Sequence, residues 1–256
     1  MKDLVSKLVT ELFTDHPMIS DNPREILCFK GNGLRGPQKK TLERIRVGNA
    51  FEKVVADRLK RAFPHSIVMT NVYFVSGRYY ERVKMYESIQ IDIIMVTDKC
   101  VYVLECKMFG SDVDSLDVKS GTKNWRITMK DGRRVYHVNG CTQNEWHDDY
   151  LWSLLCKCDY PVPVRRITVI GGLNPNQISV GRGCQYDHLV VFDDLVKTIE
   201  GIENSINDYI DSIRVTKTLQ KYEWLNPERE LLHYIFLKKK RTGLPASWKR
   251  KLVAFN

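Results

Sequence analysis

The stretch IQIDIIMVTDKCVYVLECK, residues 89 to 107, constrains the fold more than any other part of the chain. It holds two apolar runs rich in Val, Ile, Met, Leu and Tyr, split by a polar pair at Asp98-Lys99. Such runs read as buried strands, and a two-residue polar break between them reads as a tight hairpin. Pairing outward from that turn sets Asp92 across from Glu105 and Gln90 across from Lys107, with facing Cβ atoms about 4.5 to 5.5 Å apart. Period-two alternation then gathers Val101, Val103, Glu105 and Lys107 on one face of the second strand.

Two carboxylates at about 5 Å repel by roughly 3 kcal/mol at an effective dielectric near 20, so the hairpin needs positive charge beside them. Lys107 supplies part of it. A hard divalent cation with oxygen ligands would supply the rest. A plain solvated salt bridge between Glu105 and Lys107 is the alternative, which the apolar neighbours on both faces disfavour.

The surrounding pattern alternates helix and strand. A helix is expected over 41 to 63, where Phe51, Val54, Val55, Leu59, Ala62 and Phe63 recur at helical spacing. Strands are expected at 67 to 74, 89 to 96 and 101 to 107, the first two separated by the polar stretch SGRYYERVKMYES. An Asp131-Gly132 turn joins WRITM to RVYHV as a second hairpin. A helix over 142 to 156, strands at 164 to 171 and 188 to 192, and a helix striped by Leu195, Ile199, Ile202, Ile206 and Ile210 follow, with Asp193 or Asp194 as its cap. The Gly/Pro/Lys-rich segment 31 to 40 reads as a loop or domain seam.

Gln143 and His147 lie four apart, on one helical face with Leu151 and Leu154, so both can look inward. His147 fits a core histidine, a phosphate contact or a catalytic helper. Glu52 shares a helical face with Gly48, Val55 and Leu59, and fits either a partly exposed helix glutamate or an inward carboxylate. Trp125 reads as core.

Set in order, these residues resemble a known family. Asp92 followed by Glu105-Cys106-Lys107 looks like the D…ExK signature of the PD-(D/E)XK nucleases, and the wider pattern is similar to the nuclease-related domain family. Gly48-Asn49-Ala50-Phe51-Glu52 resembles its GxxGE, Gln90-Ile91-Asp92 its qID, and Trp125 with Gln143-Asn144 and His147 its later elements. Phe51 departs from the pattern, standing where a second glycine is usual. The resemblance spans roughly residues 41 to 200. It implies an α/β, restriction-endonuclease-like mixed sheet flanked by helices, and hydrolysis of phosphodiester bonds with Mg²⁺ or Mn²⁺. Asp92, Glu105, the Cys106 backbone carbonyl and Glu52 would hold the metal, Lys107 would orient water or stabilise developing charge, and Gln143 would support the lysine or the substrate.

The charge balance agrees with a polyanionic partner: 40 Lys and Arg stand against 31 Asp and Glu, a formal +9. Nucleic acid is expected as partner, DNA favoured over RNA. Lys238, Lys239, Lys240, Arg241, Lys249, Arg250 and Lys251 cluster in the tail around Trp248, and read either as phosphate contacts, with about four of the seven engaged, or as a solvated helix end. The opening MKDLVSKLVTELF reads as an amphipathic helix, not a signal peptide, and no run of eighteen apolar residues occurs. A cytoplasmic, soluble protein is expected. Seven cysteines without a CxxC pair argue against a disulfide framework and a zinc ribbon, leaving reduced thiols.

The expected organisation is an N-terminal helix and connector at 1 to 40, a nuclease-like core at 41 to 213, and a basic helical extension at 214 to 256. Two other classes remain open: a nucleic-acid-binding module that keeps the fold without catalysis, and a basic peripheral membrane or protein-interaction domain.

Overall fold

A computed structural model of the protein describes residues 36–81, 85–118, 123–156, 162–181, 188–226, 229, 230, 232, 233, 236 and 237, with side chains from Arg46 onward. The expected N-terminal helix at residues 1 to 13 and the basic tail cluster lie outside the described residues, as do Trp248, Cys158 and Cys184.

The described residues form four α-helices and nine strands in a mixed α/β arrangement consistent with a restriction-endonuclease-like fold. Helix α1 (Gly36–Ala62) leads into β1 (Ile67–Tyr80), β2 (Met85–Val96) and β3 (Val101–Met108). Next come β4 (Val113–Val118), β5 (Asn124–Met129), β6 (Arg134–Val138) and helix α2 (Gly140–Leu155). Then come β7 (Val164–Gly171), β8 (Ile178–Val180), β9 (Leu189–Val191), α3 (Leu195–Ser205) and α4 (Ser212–Tyr222). Two mixed sheets result, ordered β1-β2-β3-β7-β9 and β6-β5-β4-β8. Two compact units share the chain. One holds residues 48–72 and 90–223; the other holds 73–89 and the described residues beyond 223, together with the first turns of α1.

The larger unit is built on the β2–β3 hairpin. Ile93 pairs with Leu104, Ile94 with Val103, Met95 with Tyr102 and Val96 with Val101, and the Thr97 N–H donates to the Cys100 carbonyl at 3.0 Å. Asp98-Lys99 is therefore the two-residue turn that the sequence predicts, in the same register. Strand β7 adds in parallel on the far side of β3, with Glu105 beside Thr168. One sheet face takes Tyr102, Leu104 and Cys106 into a core with Phe51, Val55 and Leu59 of α1 and with Leu195, Ile199 and Ile202 of α3.

Several expected boundaries move. Helix α1 starts at Gly36, inside the segment expected to be a loop, with Pro37 in its first turn, where a fixed φ suits a helix and no N–H is missed. The polar stretch 76 to 88 is largely strand, because Tyr79 and Tyr86 stack edge to face at 5.0 Å across it. Helix α3 ends at Ser205, so Ile206 and Ile210 fall outside the expected stripe. Lys99 Nζ donates to the carbonyls of Glu203 and Ile206, satisfying groups that a longer helix would have used itself. Asp194 stands at the cap position of α3 but makes no side-chain capping bond. Strands β4 and β8 have no counterpart in the sequence reading. Cys100, Cys106, Cys141 and Cys156 are free thiols.

Candidate functional site

The ladder between β2 and β3 stops at Ile93 and Leu104, one residue short of the carboxylates. Asp92 is the cause. Its Oδ2 accepts the Cys106 N–H at 2.8 Å, and that donor is the one an Ile91–Cys106 rung would have used. The expected rung between Asp92 and Glu105 is thus replaced by a side-chain bridge that keeps the two residues adjacent. Gln90 likewise leaves Lys107 and donates to Asn71 Oδ1 at 3.0 Å, where Asn71 holds a positive φ of 52°.

Glu105 is almost wholly buried, and its two oxygens have different surroundings. Oε1 accepts from Lys107 Nζ. Oε2 has no hydrogen-bond partner among the described residues, with His147 Nδ1 3.5 Å away. Lys107 Nζ also donates to Gln143 Oε1 at 3.2 Å. Helix α2 brings Gln143 and His147 to this face because Asn144, between them, donates to the carbonyls of Val103 and Ile167, 3.1 Å each. One amide side chain thereby pins the helix across two neighbouring strands.

The start of α2 is fixed as tightly. Asn139 caps it, accepting from the Cys141 and Thr142 N–H groups, and donates its own N–H to the Lys123 carbonyl. A Cβ on Gly140 would come within 2.9 Å of Trp125 Cη2 and 3.2 Å of Lys107 Cε, so only glycine lets the helix approach the lysine stem this closely. Trp125 is fully buried in the core beneath, with Phe109, Leu116 and Ile127. Phe51, the departure from the family pattern, is answered in the same way: a Cβ on Gly171 would lie 2.5 Å from the Phe51 ring. The phenylalanine occupies the space that Gly171 leaves, and the helix keeps its seat on the sheet.

The electrostatics follow from burial. Loss of solvation, then the charge of Glu105, push the Asp92 carboxyl up to about 7, against the pull of Lys107 and the Cys106 N–H. Burial also raises Glu105; Lys107 opposes the rise and Glu52 adds to it. Burial lowers Lys107, but the two carboxylates outweigh it and hold the ammonium above its ordinary value. The Cys106 thiol is pushed well up by burial and by the acids around it. Glu52, on α1, is buried within electrostatic reach of Glu105.

The structure therefore brings Asp92, Glu105, Lys107, Gln143 and His147 to one end of the β2–β3 hairpin, with Glu52 within electrostatic reach of Glu105. Asn139, Gly140 and Asn144 were missed as positioning residues, although Asn-Gly ahead of a helical run is a readable cap signal. Among the described residues no three His, Cys, Asp or Glu side chains converge into a set able to hold a metal alone. The donors that do converge are two carboxylates, one with a buried oxygen lacking a hydrogen bond, and such oxygens suit a hard cation that keeps waters of its own.

Residues 47–171 match the family model of the nuclease-related domain. The chain carries a nuclease-related domain. The match takes in the last half of α1, both hairpins, α2 and β7, and so includes every residue of the cluster. Comparison with curated proteins and with solved structures gave no match. Among the described residues no helix is long and apolar enough to cross a membrane.

Proposed function

We propose that the nuclease-related domain hydrolyses phosphodiester bonds of nucleic acid, with DNA the favoured substrate, in a reaction that depends on Mg²⁺ or Mn²⁺. The observation that carries this reading is the convergence of Asp92, Glu105 and Lys107 at one buried strand end, with Gln143 holding the lysine. Asp92 and Glu105, aided by Glu52 and the Cys106 carbonyl, would hold the cation, which when bound lowers the pKa of a water and polarises a phosphoryl oxygen. Two carboxylates suffice for Mg²⁺ when waters and phosphate oxygens complete its shell.

The chain's own groups divide the remaining work. Lys107 places a positive charge where negative charge builds on the phosphoryl oxygens, in surroundings that weaken screening. Gln143 and Glu105 fix the lysine's direction, so it needs little rearrangement when the phosphate arrives. His147 Nδ1 stands 3.5 Å from Glu105 Oε2, close enough to contact a phosphate bound beside that carboxylate. The basic tail, from Lys238 to Arg241 with Lys249 and Arg250, would add phosphate contacts without entering the chemistry.

A cleavage assay on labelled linear and circular DNA, with RNA in parallel, tests the proposal. Cutting in Mg²⁺ or Mn²⁺, abolished by EDTA and by Asp92→Asn, is the expected result. A second reading, a nucleic-acid-binding module without catalysis, draws on the lack of three convergent ligands among the described residues. EDTA-insensitive binding with no cleavage in any metal would decide for it.

A further inference from the structure

The β5–β6 hairpin carries a surface that the chemistry above does not use. Residues 123 to 138 hold five basic side chains and one acidic one, a net +4 within a chain whose formal total is +9. Strand β6 is the edge of its sheet, and all five of its residues are exposed. The ladder pairs Arg126 with Tyr136, Thr128 with Arg134, Asn124 with Val138, and Trp125 with His137. Because Trp125 and Ile127 point into the core, alternation sends Arg126, Thr128, Tyr136 and Arg134 to the opposite face. Tyr136 is 68% exposed there, with Arg134 two residues along its own strand and Arg126, which is ion-paired with Asp117, across the ladder. Lys130 continues the positive charge at the turn, where Arg133 is ion-paired with Asp131.

A charged edge also keeps a strand from pairing with other chains, which accounts for Arg134. It does not account for a solvent-facing tyrosine flanked by Val135 and Val138, both also exposed. An aromatic ring among cations on an open strand is the arrangement that stacks an unpaired base while its phosphates are neutralised. The hairpin's position adds to this. Its root is closed by the Asn139–Lys123 bond, and the next residue, Gly140, lies so near Lys107 that an added Cβ would come within 3.2 Å of its Cε.

We propose that the outer face of the β5–β6 hairpin binds single-stranded nucleic acid, with a base stacked on Tyr136 and phosphates on Arg134 and Lys130, and so guides an unpaired strand toward the Lys107 end of the domain. The partner class rests on the nuclease reading, but the binding does not require catalysis.

The test is fluorescence anisotropy in EDTA with a labelled DNA single strand and a duplex of equal length, on the full chain. Tyr136→Ala is expected to weaken single-strand binding on the order of tenfold, while Tyr136→Phe and the duplex affinity change less than about threefold. Lys130→Gln with Arg134→Gln should make the slope of log affinity against log salt shallower by about 1.4 for the single strand. All these side chains are at the surface, so unchanged circular dichroism and melting temperature are expected. Unchanged single-strand affinity and slope in these variants would overturn the proposal, as would wild-type protein that binds no oligonucleotide. Loss of binding to anionic lipid vesicles, with oligonucleotide binding untouched, would overturn it in favour of a membrane surface. Wild-type binding that follows the expected pattern without cleavage in any metal would leave this inference standing and remove the catalytic one.

Discussion

The two faces of β3 are built from alternate residues of one strand, yet they follow opposite rules. Toward α1, Tyr102, Leu104 and Cys106 enter an apolar core in which the polar tip of Tyr102 is satisfied by Glu203 at 2.6 Å. Toward α2, Val101 and Val103 give way to Glu105 and Lys107, and the facing helix answers with Gln143, Asn144 and His147. The first face gains its stability mainly from packing. The second spends part of that gain on buried charges that only offset one another, a cost that fits the proposed handling of phosphate and a cation.

The largest expected effect lies on the apolar face. Leu104→Ala should cost about 2 to 5 kcal/mol in urea denaturation, because Leu104 is fully buried and its neighbours belong to both flanking helices. A cost below about 1 kcal/mol would mean that this face is loosely packed and the contrast is wrong.

Burial of an ionisable group without compensating charge gives a third case, found in the smaller unit. His233 lies against Ser88 Oγ at 2.9 Å and the Tyr73 ring, and burial lowers its pKa from 6.5 to about 4. A depressed histidine stays neutral in the fold but charges in the unfolded chain. Stability is therefore full above pH 6.5 and falls as the pH drops toward 4, by on the order of 2 kcal/mol. His233→Phe should flatten this acid limb when melts are taken from pH 7.5 to 4.5; an identical limb in the variant would assign it to other groups.

On the polar face, Asn144→Leu should cost about 1 to 2 kcal/mol by leaving the Val103 and Ile167 carbonyls without that donor, and cleavage should fall as Gln143 and His147 lose their placement. Retained activity with lost stability would make Asn144 purely a fold residue. The smallest effect has the opposite sign. Asp92→Asn keeps an acceptor for the Cys106 N–H while removing one of two like charges, so the melting temperature in EDTA should rise by a degree or two, and the added rise in Mg²⁺ should shrink. A clear fall would show that Asp92 serves the fold first.

Much of this contrast is legible in the sequence, and the illegible part has physical causes. The Asp98-Lys99 turn and the register of β2 with β3 follow from local composition, since one polar pair interrupts two long apolar runs. The end of the ladder does not, because it depends on one side chain capturing a backbone N–H. Strand β4, with only Val113, Leu116 and Val118 apolar, and the three-residue β8 are too short or too polar to announce themselves. The Phe51–Gly171 and Gly140–Lys107 close approaches join positions far apart in the chain, and a single sequence carries no mark of such pairs. Spacing sets Glu105 with Lys107 on one strand face and Gln143 with His147 on one helix face, and only the family resemblance joins the two pairs into one site.

The central claim is that the polar face of β3 is organised for phosphodiester chemistry, and rates measured beside stability test it most directly. Single-turnover cleavage of a labelled DNA in Mg²⁺ should be compared for wild type, Glu105→Gln and Lys107→Met, with melting temperatures taken on the same preparations. The expected result is a rate loss of about a hundredfold or more for each variant, with melting temperatures within a few degrees of wild type. Cleavage at the wild-type rate by folded Lys107→Met and Glu105→Gln protein would contradict the account.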